Sequence, residues 1–249
     1  MSLKRRHTPK AQVPQRYPAL DGLRGLAIAL MIGYHLCFNL AYFGALSADF
    51  NHSPFWLGLR SLIVTLFLGV MGMSLALATQ HTLQWRPYLR RLAILLAAAA
   101  LVSIGSYLVF PASWIFFGVL HFIALASVLA LTFTRFYWSN LFIGTGLLVF
   151  GLVYQHEYFN QPWLQWFGLM TYKPITEDYV PLLPWFGVVL IGIFLGKAIY
   201  GRSPVPALAR WQPTRLPGKI LSGAGRHSLL IYLLHQPLLM GILYLIVGT

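Results

Sequence analysis

Three ionisable residues fall on one face of the first apolar segment of this 249-residue chain. Asp21, Arg24 and His35 lie in the stretch LDGLRGLAIALMIGYHL, which is otherwise apolar enough to span a bilayer. A charged side chain costs about 2.5–3.5 kcal/mol at the centre of a membrane helix, so such residues are seldom kept there without a function. An imidazole can act as a general base, and a guanidinium can bind a phosphate through paired hydrogen bonds. Asp21 can pair with Arg24 and reduce the cost of inserting it.

The spacing of these residues predicts an arrangement with two ends. Arg24 and His35 are eleven residues apart, which is three helical turns or about 16 Å along the axis. Arg24 would therefore lie near the inner membrane surface and His35 in the outer half of the bilayer. The alternative is that Asp21 and Arg24 only anchor the inner end of the helix, while His35 hydrogen-bonds to a neighbouring helix.

Two further apolar segments each contain one histidine, His121 and His235. Tyr232 lies one turn before His235, on the same face of its helix. Three histidines in three membrane segments favour a shared polar cavity over three separate packing contacts. The sequence has no His-x-x-x-His pair, no Glu-x-x-His pair and no cysteine cluster, so we predict no metal site. Its one cysteine, Cys37, excludes an intrachain disulfide.

Four arginines are predicted near the inner ends of the helices, namely Arg24, Arg90, Arg91 and Arg226. Arginine suits phosphate because its planar group donates two parallel hydrogen bonds. The simpler interpretation is that each arginine only meets lipid headgroups on the cytoplasmic side.

The composition excludes a soluble globular protein. Hydrophobic residues make up 58% of the chain and charged residues 9%, against about 25% charged residues in soluble domains. The net charge of +13 would indicate nucleic acid in a soluble protein, but here it reflects membrane topology, so we expect a lipid bilayer as partner and no nucleic acid.

The fold class predicted is all-α, a polytopic bundle of about seven transmembrane helices. The predicted spans are residues 19–40, 57–79, 91–110, 115–133, 140–155, 183–200 and 227–247. Residues 1–18 would form a basic cytoplasmic tail and residues 19–249 a single transmembrane domain. With the N-terminus inside, 15 of the 18 basic residues fall on the inner face and four of the five acids on the outer face. The long outer loop at 156–182 is rich in Trp and Tyr, which indicates either interfacial anchors or a loop that caps a site.

Four stretches of the chain resemble known membrane acyltransferases. The segment LDGLRGLAIALMIGYH resembles the first-helix motif of the acyltransferase type 3 family, with Arg24 and His35 in the matching positions. The rest is similar to bacterial members of the heparan-alpha-glucosaminide N-acetyltransferase catalytic-domain family. The supporting stretches are FFGVLHFIALASVLAL, DYVPLLPWFGVVLIGIFLGK and GRHSLLIYLLHQPLL.

This resemblance implies a multi-pass acyltransferase of the bacterial cytoplasmic membrane. The donor would be cytoplasmic acetyl-CoA or another acyl-CoA, and the acceptor an extracytoplasmic hydroxyl or amine, such as that of a carbohydrate. The proposed catalytic histidine of the type 3 family lies in the first helix and matches His35, whereas that of the eukaryotic glucosaminide enzyme lies in the loop after this helix, a loop in which this chain has His52. We favour His35 and keep His52 as the second catalytic candidate, with Asp21 as a further one. The sequence is compatible with both a monomer and a homo-oligomer.

The same picture assigns roles to the remaining polar residues. Inner arginines would hold the phosphates of the donor and leave its thioester in the outer half, near His35. His35 would act as a general base or carry the acyl group covalently. A neighbour such as His121, Tyr232 or His235 could donate to the oxyanion. Asp178 or Glu177 could orient the acceptor, unless both are solvated loop residues. The competing functions are a transporter of small solutes or protons, and a non-catalytic envelope scaffold.

Overall fold

The computed structural model describes residues 17–80, 82–201 and 204–247, and the regular structure in these ranges is helical throughout. Its α-helices are α1 (Pro18–Tyr42), α2 (Pro54–Ala78), α3 (Trp85–Val109), α4 (Val119–Leu129), α5 (Trp138–Val153), α6 (Leu182–Tyr200), α7 (Leu216–Arg226) and α8 (Ser228–Val247). Short 3-10 turns follow α4 and lie in the loops before α6 and α7. Residues 1–16 of the predicted basic tail lie outside the described residues.

Five of these helices are long and apolar enough to cross a membrane: α1, α2, α3, α6 and α8. The other two predicted spans form shorter apolar helices, Val119–Phe133 and Trp138–Val153. At about 1.5 Å per residue, a helix of this length covers only part of a hydrocarbon core of about 30 Å. The prediction of a helical membrane bundle is confirmed, although two of its seven apolar helices are shorter than a full span.

Helix α7 was not predicted from the sequence. It is short and amphipathic, and it packs along the first half of α1. A Cβ atom on Gly25 would lie 1.9 Å from the Leu221 carbonyl oxygen, and a Cβ atom on Gly225 would lie 1.8 Å from the Asp21 carbonyl oxygen. Glycine at these two positions lets the backbones touch, as small residues do between membrane helices. The contact brings Arg226 beside α1.

The helices alternate in direction and give the bundle two chemically different ends. The basic end contains the starts of α1, α3 and α5 and the ends of α2, α6 and α7. The opposite end contains the loops 43–53, 110–118 and 154–181. At the basic end the Arg24 Nη2 atom donates to Ser74 Oγ over 2.9 Å, which ties α1 to α2. Nearer the opposite end, Asn39 and Gln236 exchange hydrogen bonds of 3.1 and 3.3 Å between α1 and α8.

The largest hydrophobic core lies among α2, α4 and α6. Its fully buried residues include Leu68, Phe122 and Leu190. Helices α2 and α6 approach closely because Gly72 faces the Val189 carbonyl oxygen, where a Cβ atom would lie 2.2 Å away. The three histidines of the apolar helices lie on α1, α4 and α8.

Candidate active site

A buried carboxylate organises the basic end of the bundle. The Oδ1 atom of Asp21 lies 3.1 Å from Arg24 Nη1, and its Oδ2 atom lies 3.5 Å from Arg226 Nε. Asp21 is buried, whereas the Arg226 side chain is 46% exposed. The pairing expected between Asp21 and Arg24 is therefore present, and it extends to α7. Asp21 is 14 residues before His35, about 21 Å along the axis of α1, so it holds arginines and does not contact the imidazole.

A cavity of about 730 Å³ is lined by residues of α1, α2, α3, α4, α7 and α8. Five arginines line it towards the basic end: Arg24, Arg86, Arg90, Arg91 and Arg226. Its far wall includes Val119 and Tyr232. The four arginines predicted to cluster are therefore brought to one cavity, and Arg86 joins them. The sequence signal for Arg86 was its position four residues before Arg90, which places both on one helix face.

His35 and His235 face each other across α1 and α8. Their ring centroids are 4.8 Å apart with an interplanar angle of 68°. His35 Nδ1 lies 2.9 Å from the Met31 carbonyl oxygen, and His235 Nδ1 lies 2.6 Å from the Tyr232 carbonyl oxygen. A carbonyl oxygen only accepts, so in the neutral rings both Nδ1 atoms carry the proton and both Nε2 atoms keep a lone pair. The Nε2 atom of His235 is buried and has no hydrogen-bond partner among the described residues.

His121 is occupied by the local structure of the α4 N-terminus. Its Nδ1 atom accepts from the Gly118 N–H over 3.2 Å, so its Nε2 atom carries the proton and donates to Ser103 Oγ over 3.0 Å. The Ser103 hydroxyl donates in turn to the Ile115 carbonyl oxygen over 2.6 Å. Both ring nitrogens therefore serve structural hydrogen bonds, which fix the start of α4 against α3.

Asp178 reaches the centre of the bundle from the long loop before α6. Its Oδ2 atom accepts from the Val119 N–H over 2.8 Å and from the Tyr232 hydroxyl over 2.9 Å. The loop is held by backbone pairing with residues 113–117, including Glu177 N–H to the Ser113 oxygen at 3.0 Å. Burial raises the pKa of the Asp178 carboxyl, while the two hydrogen bonds act in the opposite direction. The loop thus contributes directly to the polar cluster.

Gly118 makes room for the Asp178 carboxylate. A Cβ atom at position 118 would lie 2.3 Å from Asp178 Oδ2. The backbone there is extended, with φ of −93° and ψ of −172°, so the requirement for glycine comes from the close approach and not from the dihedral angles.

His52 lies apart from the polar cluster. Its side chain is 86% exposed in the loop after α1, and its Nδ1 atom lies 3.0 Å from Asp49 Oδ2. Backbone hydrogen bonds from His52 and Asn51 lower the pKa of Asp49. Of the histidines predicted for the site, the structure therefore brings together His35 and His235, gives His121 a capping role and leaves His52 in a solvent-facing pair with Asp49.

Several members of the site were missed in the sequence. Ser103 and Gly118 belong to no sequence motif, and their roles come only from their contacts with His121 and Asp178. Asn39 and Gln236 were visible as amides in apolar helices, a recognised sign of hydrogen bonding between membrane helices. Within residues 17–80, 82–201 and 204–247, no group of three or more His, Cys, Asp or Glu side chains could hold a metal ion.

An apolar helical bundle with an arginine-lined cavity at one end and paired imidazoles further in defines a class: multi-pass membrane proteins with a polar internal site. The family model described as "Heparan-alpha-glucosaminide N-acetyltransferase, catalytic" matches residues 16–237, and the chain belongs to this family. Membership confirms the predicted resemblance to the heparan-alpha-glucosaminide N-acetyltransferase catalytic-domain family and implies membrane acetyltransferase activity. No curated protein and no solved structure matches the chain significantly.

Proposed function

We propose that this protein transfers an acetyl group from acetyl-CoA, bound at its basic end, to a hydroxyl or amine of an acceptor that enters from the opposite end. The acceptor is a carbohydrate or a similar extracytoplasmic molecule, and the membrane is the bacterial cytoplasmic membrane. Residues 19–249 act as one transmembrane domain. The observation that carries this proposal is the cavity that extends from five arginines to Tyr232, next to the paired histidines.

The basic end suits a coenzyme A donor. Coenzyme A carries several phosphate charges on one end and its thioester on the other, at the tip of a long flexible arm. Arg86, Arg90 and Arg91 are exposed at the mouth of the cavity, where they can meet the phosphates. Arg24 and Arg226 are held in place by Asp21, so less conformational freedom is lost when they bind an anion.

The chemistry takes place where the cavity meets the polar cluster. The Tyr232 ring, which lines the cavity, lies 5.7 Å from the ring of His235, and His35 lies beyond it. The Nε2 atom of His35 takes the proton of the acceptor hydroxyl or amine. The acceptor atom forms a bond to the acetyl carbon, the carbon–sulfur bond breaks, and coenzyme A leaves as a thiolate. His235 supplies a second unprotonated Nε2 atom beside the first.

The acceptor side is formed by the loop that carries Asp178. Its Oδ2 atom is engaged by Val119 and Tyr232, so Oδ1 remains to accept a hydrogen bond from a hydroxyl or amine. Asp178 thereby acts as an orienting group for the acceptor, and Tyr232 holds the carboxylate at the wall of the donor cavity.

The donor part of the proposal is tested by acetyl-CoA binding to the purified protein in detergent. Arg90→Gln should weaken binding by about tenfold or more, because one charge-assisted hydrogen bond is lost. Arg215→Gln is the matched control, since Arg215 is also exposed at the basic end but does not line the cavity. Equal affinities for the two variants and the wild type would exclude this donor site.

The catalytic part is tested by comparing two histidine variants in the same turnover assay. His35→Gln should abolish acetyl transfer while leaving acetyl-CoA affinity unchanged, because His35 is not among the residues that line the donor cavity. His52→Gln should retain most of the activity, because His52 is exposed and pairs with Asp49. The reverse result would assign the chemistry to the loop after α1.

A further inference from the structure

A second cavity lies at the basic end, on the other side of the bundle from the arginine-lined one. It has a volume of about 470 Å³ and opens between the end of α2, the turn before α5 and the end of α6. Its lining includes two cations, Arg135 and Lys197, and no residue that lines the first cavity. Its polar groups are the side chains of Thr79, Gln80, Thr134 and Tyr137.

None of the chain's five acidic side chains, all of which lie within the described residues, neutralises the positive charge of this second cavity. The chain has five acidic residues, and four of them lie at the opposite end. The fifth, Asp21, is engaged by Arg24 and Arg226 in the first cavity. Arg135 and Lys197 therefore face a common space without a carboxylate, and an anion in that space would be attracted by both.

One of the two cations of this cavity is held in position by the backbone. Lys197 Nζ donates to the Phe136 carbonyl oxygen over 3.0 Å, which fixes the ammonium between α6 and the turn before α5. An ammonium has three donors, so two remain for a ligand. Gly196 allows α6 to approach α2 here, since a Cβ atom would lie 2.9 Å from the Met73 Cα atom.

Exposed aromatic side chains continue from this cavity along α5. Trp138 is 59% exposed and Phe142 is 70% exposed. The rings of both Tyr137 and Trp138 pack against Phe194, at 4.8 and 5.4 Å between centroids. Aromatic residues at the end of a membrane helix lie at the level of the lipid headgroups, with apolar surface facing the acyl chains. A ligand with a phosphate at the cavity and an apolar tail along α5 fits this surface.

We propose that Arg135 and Lys197 form a binding site for the phosphate of an anionic phospholipid, whose acyl chains lie against Trp138 and Phe142. The site is separate from the donor cavity and does not depend on the acetyl transfer proposed above. Basic pockets between membrane helices on the cytoplasmic side bind anionic headgroups through the same chemistry.

The experiment is a lipid titration followed by native mass spectrometry of the purified protein. Phosphatidylglycerol should bind the wild type more tightly than phosphatidylcholine. Arg135→Gln should weaken phosphatidylglycerol binding about fivefold, the effect of one basic residue near a membrane surface. Arg135 is the decisive position, because it is exposed and makes no hydrogen bond to the described chain, so its loss should not disturb folding. Lys197→Gln should act in the same direction.

Three outcomes would overturn this assignment. If Arg215→Gln lowers phosphatidylglycerol binding as much as Arg135→Gln, general surface charge explains the effect. If phosphatidylcholine binds as tightly as phosphatidylglycerol, the cations do not select the headgroup. If millimolar inorganic phosphate displaces the lipid, the site is one for a soluble phosphate. The readout is lipid retention, so a protein inactive as an acetyltransferase could still bind the lipid, and the two proposals can fail separately.

Discussion

Replacing Gly225 with alanine should separate α7 from α1 and weaken both the fold and the donor site. The added Cβ atom would lie 1.8 Å from the Asp21 carbonyl oxygen, whereas ordinary contacts begin at 3.4 Å. The helices must therefore move apart by about 1.5 Å, and such overpacking typically costs about 1–3 kcal/mol. Because Arg226 follows directly, the shift also disturbs its contact with Asp21.

Gly223 provides a control on the same helix. A Cβ atom at position 223 meets nothing within 4 Å, so Gly223→Ala introduces no clash. Alanine is favoured over glycine in a helix by up to about 1 kcal/mol. The two substitutions are chemically identical and two residues apart, yet they should change the free energy of unfolding in opposite directions.

The assay is thermal unfolding in detergent, followed by circular dichroism, with acetyl-CoA affinity measured on the same samples. Gly225→Ala should unfold at a lower temperature than the wild type and bind acetyl-CoA less tightly. Gly223→Ala should unfold at the same or a higher temperature and bind normally. Equal unfolding temperatures for the two variants would refute the packing of α7 on α1 that places Arg226 in the cavity.

Three further substitutions test the polar interior. Tyr232→Phe should lower turnover by about ten- to a hundredfold, since a hydrogen bond to a charged group contributes about 1.5–3 kcal/mol. Tyr244→Phe is the control and should leave turnover unchanged, because Tyr244 lies on an exposed part of the same helix. Asp178→Asn should lower turnover but raise the unfolding temperature at neutral pH. Burial raises the pKa of this carboxyl, so the folded state favours its protonated form. The stability that protonation provides is complete below the unfolded pKa and is lost as pH rises through the folded pKa. The higher unfolding temperature of Asp178→Asn should therefore disappear in acid. Asn39→Leu should destabilise the protein, and adding Gln236→Leu should restore part of the lost free energy of unfolding. A double-mutant cycle should give a coupling energy of about 0.6 kcal/mol, and additive effects would contradict the hydrogen bonds between Asn39 and Gln236.

The sequence was sufficient for features that depend on composition and spacing along one helix. Long apolar segments predicted the membrane helices, because hydrocarbon must be matched by some 20 apolar residues. Arg24 and His35 were assigned to different depths from their spacing alone. The sequence predicted that His35 and His235 share a cavity but not that their rings are in contact. Buried helices are apolar on all sides, so their rotation about the helix axis cannot be deduced from periodicity.

Features that depend on contacts between distant segments could not be predicted. Helix α7 has the sequence LPGKILSGAGR, in which three glycines disfavour a helix, so its stability comes from packing against α1. The sequence made Asp178 a candidate for orienting the acceptor but also left a solvated loop position open. Its position depends on backbone pairing between residues 177–180 and 113–117, which lie some 60 residues apart. His121 was a candidate for chemistry in the sequence, whereas in the structure its Nδ1 atom caps the start of α4 and its Nε2 atom hydrogen-bonds to Ser103 of α3.

The boundary between the arginine-lined cavity and the opposite end of the bundle is formed by polar groups, which affects how an acceptor could approach. The donor cavity ends at Val119 and Tyr232, and both of these residues donate to the same carboxylate oxygen of Asp178. A plug of hydrocarbon would have to be repacked to let an acceptor approach, at a cost set by the lost contacts. A polar wall needs no such repacking, because in the proposed reaction the acceptor hydroxyl or amine donates to the Oδ1 atom of Asp178 while Val119 and Tyr232 keep their hydrogen bonds to Oδ2. In the proposed reaction, one oxygen of Asp178 therefore holds the wall of the cavity and the other orients the acceptor.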